Sequence, residues 1–510
     1  MMRAAGRAPA GRPGPQVRRH GGAVLPARMT LAGRLRTHAA RRGERVFLHE
    51  LATGRRLTFR AFDALVDATC RYLASLGVGA GDRVAFSLDN GVECCLLYFA
   101  CFRMGAVANP FPSIFAPAEI VEELDLVPPR VVLVPRERMA GFAAGGSRHR
   151  VVPIDADVAG GFLDSLGAFA GQWQDAPPMA HTVACLYPSA GAETEPRGIR
   201  YTHGNLAGLL PSIVRGFRFA GTDVHLVVLP LGHTAALSYS LFPAAWCGAT
   251  VVLTPGFWDV RDEFWRVAGD FRVTYVQTVP AILVMLQHLP GSPGAACTLP
   301  YVGCGSAPLP THVQAGFERS FGLRVANLYG LSETGPTHVD DPRAAGWTPG
   351  TIGLPLDVND VRVLDGSGHR VPDGVEGELA IRGANVFPGY ELNAGAAAGL
   401  FTGGFFRTGD AGVRDPRDGC FRFVRRLKPI IIRGGINIHP REIDRVLLSH
   451  PDVEAVSTTA VPDDYLGEAI TSVVTLRNGA AATTATLRQH CRERLSTIKV
   501  PDVIRVTGRE

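Results

Sequence analysis

The sequence predicts an α/β protein of at least two domains, with a large layered domain joined to a small one near residues 425–443. Three observations carry that prediction. The 510 residues exceed what one ordinary hydrophobic core organises. Over residues 30–133 helical and strand signals alternate, as they do in layered α/β domains. Residues 425–443 read RRLKPIIIRGGINIHPREI, where the paired glycines Gly434 and Gly435 suit a tight turn open to close approach, and Pro429 restricts φ at a joint.

Composition narrows the class. Hydrophobic residues at 46% and charged residues at 19% fit a soluble globular chain. The formal charge of +5 is small for this size, and much of it sits in Arg3, Arg7, Arg12, Arg18 and Arg19, so nucleic-acid binding gains little support. Ten cysteines occur without a CxxC pair, and Cys94 and Cys95 adjoin in an apolar stretch, so neither a zinc site nor a disulfide framework is expected; a reducing cytoplasm fits. Residues 1–28 form a basic, Pro-rich leader without an apolar segment, read as a disordered tail ahead of a candidate start at Met29. The apolar run at 94–102 stops at Arg103, too soon to span a bilayer.

Taken in order, residues 59–76 carry apolar positions at helical spacing, and 83–88 read as a strand closed by Asp89 and Asn90. A second apolar helix is expected over 92–105 and a strand over 130–135, while the Gly- and Ala-rich stretch 140–147 reads as a surface loop. Residues 186–206, LYPSAGAETEPRGIRYTHGNL, read as a strand, a Gly-bearing polar loop, a second strand and a helix start. Loops of that kind hold phosphates with backbone N–H groups.

This loop resembles the phosphate loop of the AMP-forming acyl-CoA synthetase, adenylation-domain and luciferase superfamily, on its acyl-CoA ligase branch. Ser189, Gly191, Pro196, Arg197, Gly198, Thr202 and His203 fit that pattern; Ala190, Ala192, Glu193 and Thr194 depart from it. Further segments resemble the family in order: LPLGHT at 229–234, GCGSAPLP at 303–310, NLYGLSETG at 327–335, GELAIRGANVFPGY at 377–390, FRTGD at 406–410, Arg426 and Lys428, and RGGINIHPREI at 433–443. The resemblance implies a large N-terminal domain of layered sheets and helices over 29–428 and a small mobile α+β C-terminal lid over 429–510, carrying a CoA-tunnel loop.

It also implies roles. His233, Ser332 and Glu333 would be catalytic, with His233 beside the acyl pocket, Ser332 near the α-phosphate and Glu333 holding Mg²⁺. An acyl-adenylate would lie on Gly303, Gly305, Ser306, Ala307, Tyr329, Gly330, Asp410 and Arg426, with Tyr329 against adenine and Asp410 on the ribose hydroxyls. Arg433, Gly434, Gly435 and Ile436 would line the path of CoA. Taken singly, Asp410 is also an ordinary turn residue, Glu333 an ordinary surface acid and Gly434–Gly435 a plain tight turn.

Three departures fall on one half-reaction. Family members join a carboxylate to ATP, giving acyl-AMP, and then pass the acyl group to CoA. Here the degenerate phosphate loop, Ser189, Gly191, Glu193 and Arg197 among its residues, places an acid where phosphates would lie. Two like charges about 4 Å apart cost about 4 kcal/mol at an effective dielectric near 20. The chain as given stops at Glu510, before the family segment whose lysine serves adenylation. Pro429 stands at the hinge, where φ would change as the lid turns. The expectation is therefore an enzyme that converts acyl-AMP and CoA to acyl-CoA and AMP, with ATP use doubtful and a separate adenylating enzyme as supplier. A complete ATP-dependent ligase, a non-catalytic acyl-AMP-binding protein, and an enzyme with an amine or carrier-protein acceptor remain open at this level.

Overall fold

The computed structural model describes residues 24–155, 160–175, 177–188, 198–392, 399–427, 429–463 and 465–507. Ser189, Gly191, Glu193 and Arg197 of the phosphate loop, Lys428, and residues 1–23 of the leader lie outside the described residues. In the rest of the leader Val24 bridges Met179 and Leu25 is buried, while Pro26, Ala27 and Arg28 are exposed.

Two mostly parallel sheets form the large domain. One has seven strands in the order Val325–Asn327, Val302–Cys304, Tyr275–Thr278, Val224–Val227, Thr250–Leu253, Val46–Glu50 and Arg56–Thr58. The other has six, Val151–Pro153, Val131–Val134, Arg83–Phe86, Val107–Pro110, Val183–Tyr187 and Ile199–Thr202. In each, only the last pair is antiparallel. Strands buried on both faces read as unbroken apolar runs, and VVLV at Val131–Val134 is one. The helix Val92–Met104 is buried at every position. One core joins its Phe99 to Phe47 of the first sheet and Phe86 of the second, so helices fill the space between the sheets.

Expected elements appear within a residue or two of their ends. The helix over 59–76 is Phe59–Ser75, started by Thr58, whose hydroxyl accepts from the Ala61 N–H. The stretch 140–147 differs from expectation: Met139–Ala144 is helical, with Phe142 buried against the second sheet. Alanine favours helix, and one buried aromatic anchors so short a segment; the glycines that suggested a loop, Gly145 and Gly146, stop it.

An antiparallel five-stranded sheet follows, holding Phe405–Arg414 between Gly377–Gly383 and Phe421–Arg426. After Pro429 the packing changes to a core of its own. Ile431, Ile438, Ile443, Leu447, Ile470, Leu487 and Ile504 pack together, under the three-stranded sheet Val453–Asp463, Gly467–Leu476 and Val503–Thr507. The molecule thus has a large N-terminal domain and a smaller α+β C-terminal domain. Among the described residues no helix is long and apolar enough to cross a membrane.

Candidate active site

The C-terminal ends of the parallel strands, the five-stranded sheet and the small domain enclose a cavity of about 1170 Å³. Of the residues expected to act, His233, Ser306, Ala307, Tyr329, Gly330, Ser332, Glu333, Asp410, Arg426 and Ile436 line it. Gly303 and Gly305 stand behind this wall. A Cβ on Gly305 would come within 2.7 Å of the Leu328 carbonyl oxygen, so no side chain fits there.

The nucleotide end is built on a long-range contact. The Tyr329 hydroxyl donates to Asp410 Oδ2 at 2.9 Å, and Arg426 Nε lies 3.6 Å from Asp410 Oδ1. Strand register places Arg426 opposite Asp410. Burial raises the pKa of Asp410 above the usual carboxylate range, against the pull of Arg426 and Tyr329. The ring of Tyr329 is fixed edge-on by His338, centroids 5.4 Å apart.

The reacting end carries hydroxyls and one acid. Thr234 Oγ1 and Ser332 Oγ are 3.1 Å apart. Glu333 accepts from the Tyr390 hydroxyl at 3.0 Å, and burial raises its pKa. His233 caps a helical turn, its Nδ1 accepting from the Ala235 N–H at 3.3 Å; burial pushes its pKa down to about 4, so it is neutral at pH 7. The following π turn, Leu237–Leu241, presents Ser238 and Tyr239 to the cavity. Thr234, Ser238, Tyr239 and Tyr390 were not singled out from the sequence, although Thr234 closes the segment 229–234 and Tyr390 the segment 377–390. A hard cation bridging phosphates needs one or two carboxylates, and Glu333 supplies one. Among the described residues no cluster of three or more metal-ligating side chains occurs.

From the small domain, Gly434 and Gly435 form the two-residue turn between Ile431–Arg433 and Ile436–Ile438, with φ of 58° and 84°. Positive φ at both positions is the geometry of a type I′ hairpin. A Cβ on Gly435 would lie 2.7 Å from Val279 Cγ1 and 3.7 Å from Ser306 Cβ, so the turn presses bare backbone against the large domain at the cavity. Arg433, expected on the path of CoA, pairs with Asp502 at 2.8 and 2.7 Å. Pro429 is exposed.

The small domain is seated by charge. Lys499 Nζ lies 2.9 Å from both Glu119 and Glu442. Glu119 also accepts from the backbone N–H of Ala116, starting the helix Pro117–Leu126, and from that of Ser496. Arg445 pairs with Glu122. None of these partners had a local signal in the sequence.

Residues 35–391 match the family described as AMP-binding enzyme, and residues 442–509 match the AMP-binding enzyme C-terminal domain. The chain is 32% identical over 461 residues to a feruloyl-CoA synthase of Amycolatopsis sp, covering 89% of this chain and 91% of the relative. It is 30% identical over 482 residues to a sulfoacetate–CoA ligase of Cupriavidus necator, covering 93% and 94%. Its fold is similar to that of a double mutant of o-succinylbenzoate CoA synthetase from Bacillus subtilis, with a TM-score of 0.83, 24% identity, and coverage of 93% and 95%.

Proposed function

The chain belongs to the AMP-binding enzyme family, within the AMP-forming acyl-CoA synthetases, and from that premise we propose that it transfers the acyl group of an acyl-adenylate to CoA. In this reading the carboxylate activation that consumes ATP is lost or weak, and a separate enzyme supplies the acyl-AMP. The observation that carries the transfer step is the bare backbone of Gly435 set against Val279 and Ser306 at the cavity, beside which a pantetheine arm would pass where a Cβ would obstruct it. The argument against ATP rests on the sequence of the phosphate loop, where the acid Glu193 would repel the β- and γ-phosphates, and on Pro429 at the joint.

The chemistry follows from the groups in place. Asp410 holds the ribose by charge-assisted hydrogen bonds, its other contacts being Tyr329 and Arg426. Tyr329 sets the adenine plane, and Ser306 and Ala307 border it. The CoA sulfur, as thiolate, forms a bond to the mixed-anhydride carbonyl carbon. The bond from that carbon to the phosphate oxygen breaks, and AMP leaves with the electron pair. The thiol proton passes to solvent. Thr234 and Ser332 offer hydroxyl donors to the phosphate and to the oxyanion, and rate enhancement comes from positioning and from those donors. Mg²⁺ on Glu333 would neutralise phosphate charge. The proposal includes a cytoplasmic setting, on the unpaired spacing of the ten cysteines.

The test is to supply synthetic acyl-AMP with CoA, and in parallel the free acid with ATP, Mg²⁺ and CoA. The reading expects acyl-CoA in the first assay and little in the second. Efficient turnover of the free acid would favour a complete two-step ligase, and binding of acyl-AMP without turnover a nucleotide-binding protein.

A further inference from the structure

Two buried side chains behind the cavity wall have polar atoms without hydrogen-bond partners. Tyr275 is 1% exposed and Gln277 2%. Among the described residues, neither the Tyr275 hydroxyl nor either amide atom of Gln277 has a partner. Both stand on the strand Tyr275–Thr278, two residues apart, so they point to the same face of the sheet. Each buried polar group left unmade costs about 1–3 kcal/mol, and native proteins leave few such groups without a use.

The space beside them is shaped by what is missing. Gln277 pairs in register with Gly303. A Cβ on Gly303 would come 3.2 Å from the Tyr275 hydroxyl and 2.8 Å from Leu328 Cδ1. Leu328 lines the cavity, so the Tyr275 hydroxyl stands one side chain behind the wall. Tyr239, also on the cavity wall, lies on the same side, its ring 6.0 Å from Phe217, which neighbours Tyr275.

We infer that the Tyr275 hydroxyl and the Gln277 amide form the floor of the acyl chamber, and that the acyl group ends in a neutral hydrogen-bonding group such as a ring hydroxyl. The inference rests on the acyl-adenylate reading of the same cavity. An acyl group ending in hydrocarbon would leave three polar atoms unpaired. One ending in a second carboxylate or a sulfonate would meet, among the described ring neighbours of Tyr275, only Phe217, Phe219, His225 and Tyr301, and burying an unpaired charge is far more costly than burying a hydroxyl. The neighbouring ring of His225, 5.1 Å from Tyr275, brings no charge, since burial pushes its pKa down to about 4. Reach agrees with a compact group. Val279, which meets the glycine turn, is two residues beyond Gln277, or about 7 Å along an extended chain, and four beyond Tyr275, or about 13 Å. A single ring on a short spacer spans that depth.

The test uses the whole chain and stable mimics of acyl-AMP, acyl sulfamates of adenosine, carrying phenylacetyl or phenylpropanoyl groups. Each is made with a hydroxyl or a methyl at the 3- or 4-position of the ring. Calorimetry should show at least one hydroxyl ligand bound about tenfold or more tightly than its methyl partner, which corresponds to about 1.4 kcal/mol. Gln277→Leu and Tyr275→Phe should each reduce that preference to about threefold or less, with the affinity for the methyl ligand little changed. Both variants should melt no lower than the parent, because an unpaired buried polar group is replaced by apolar atoms. If no hydroxyl ligand is preferred, or if the preference survives both substitutions, the inference is overturned. Binding preference without acyl-CoA formation from acyl-AMP would overturn the proposed activity and leave this inference standing; acyl-CoA formation without the preference would do the reverse.

Discussion

Lys499 of the small domain lies 2.9 Å from Glu119 of the large domain. The lysine is buried, its side chain 7% exposed, and it pairs equally with Glu442. Burial alone would lower its pKa, but the two carboxylates hold it above the usual lysine range. Breaking such a pair from one side leaves buried acids uncompensated, at a cost of about 3–5 kcal/mol. Lys499→Met should therefore unseat the small domain and slow CoA-dependent turnover of acyl-AMP by about a hundredfold or more. The exposed pair of Arg445 with Glu122 makes a control: Arg445→Ala should cost about 1 kcal/mol or less. Stopped-flow rates on both variants check this, and equal effects would count against a seat centred on Lys499.

Glu123 gives the same contact a pH dependence. It is half-buried on the helix that carries Glu119, and its pKa is pushed up to about 8, first by burial and then by Glu442, Glu119 and Glu122, with Lys499 opposing. A carboxyl whose folded pKa is raised contributes stability that is full below the unfolded pKa near 4 and is lost as pH rises through the folded value. Stability to urea should thus decline from about pH 5 to about pH 8, and Glu123→Gln should flatten that decline. Parallel curves for parent and variant would contradict it.

Gly434 and Gly435 separate two causes that usually act together. An L side chain costs about 1–2 kcal/mol in the left-handed region, and both glycines are there. Only at Gly435 would an added Cβ also come within 2.7 Å of Val279 Cγ1; at Gly434 the nearest atom to an added Cβ would be Leu466 Cδ2 at 3.8 Å. Gly435→Ala should slow the CoA step by about tenfold to a hundredfold more than Gly434→Ala, with acyl-AMP affinity unchanged in both. Single-turnover kinetics at saturating acyl-AMP measure this.

Asp410→Asn removes the charge but keeps the shape that accepts the Tyr329 hydroxyl. Hydrogen bonds to a charged group contribute about 1.5–3 kcal/mol, so AMP and acyl-AMP should bind about tenfold to a hundredfold more weakly. The same substitution should leave apo stability at neutral pH unchanged or raised, because burial disfavours the ionised form of Asp410. A large loss of stability would mark Asp410 as structural instead.

Local signals in the sequence carried much of the fold and of the nucleotide end. Apolar spacing located Phe59–Ser75 and Val92–Met104, and the segments around Tyr329 and Asp410 stood out because their residues are contiguous. The rest depends on contacts between distant positions. Lys499 and Glu119 are 380 residues apart in number, and the pairing of Gln277 with Gly303 is fixed only when two parallel strands meet. The pairing of Arg433 with Asp502, 69 residues on, had no signal in its motif. The helix Met139–Ala144 was hidden because the glycines that end it resemble those of a loop.

The most direct test of the central claim compares two sources of the acyl group in one protein preparation, with the same acyl chain in each. Acyl-CoA formation is measured from synthetic acyl-AMP plus CoA, and from the free acid plus ATP, Mg²⁺ and CoA. The account predicts turnover from acyl-AMP at least about a thousandfold above that from the free acid, the range lost when preorganised electrostatic stabilisation of a step is removed. Comparable rates from the two sources would contradict it.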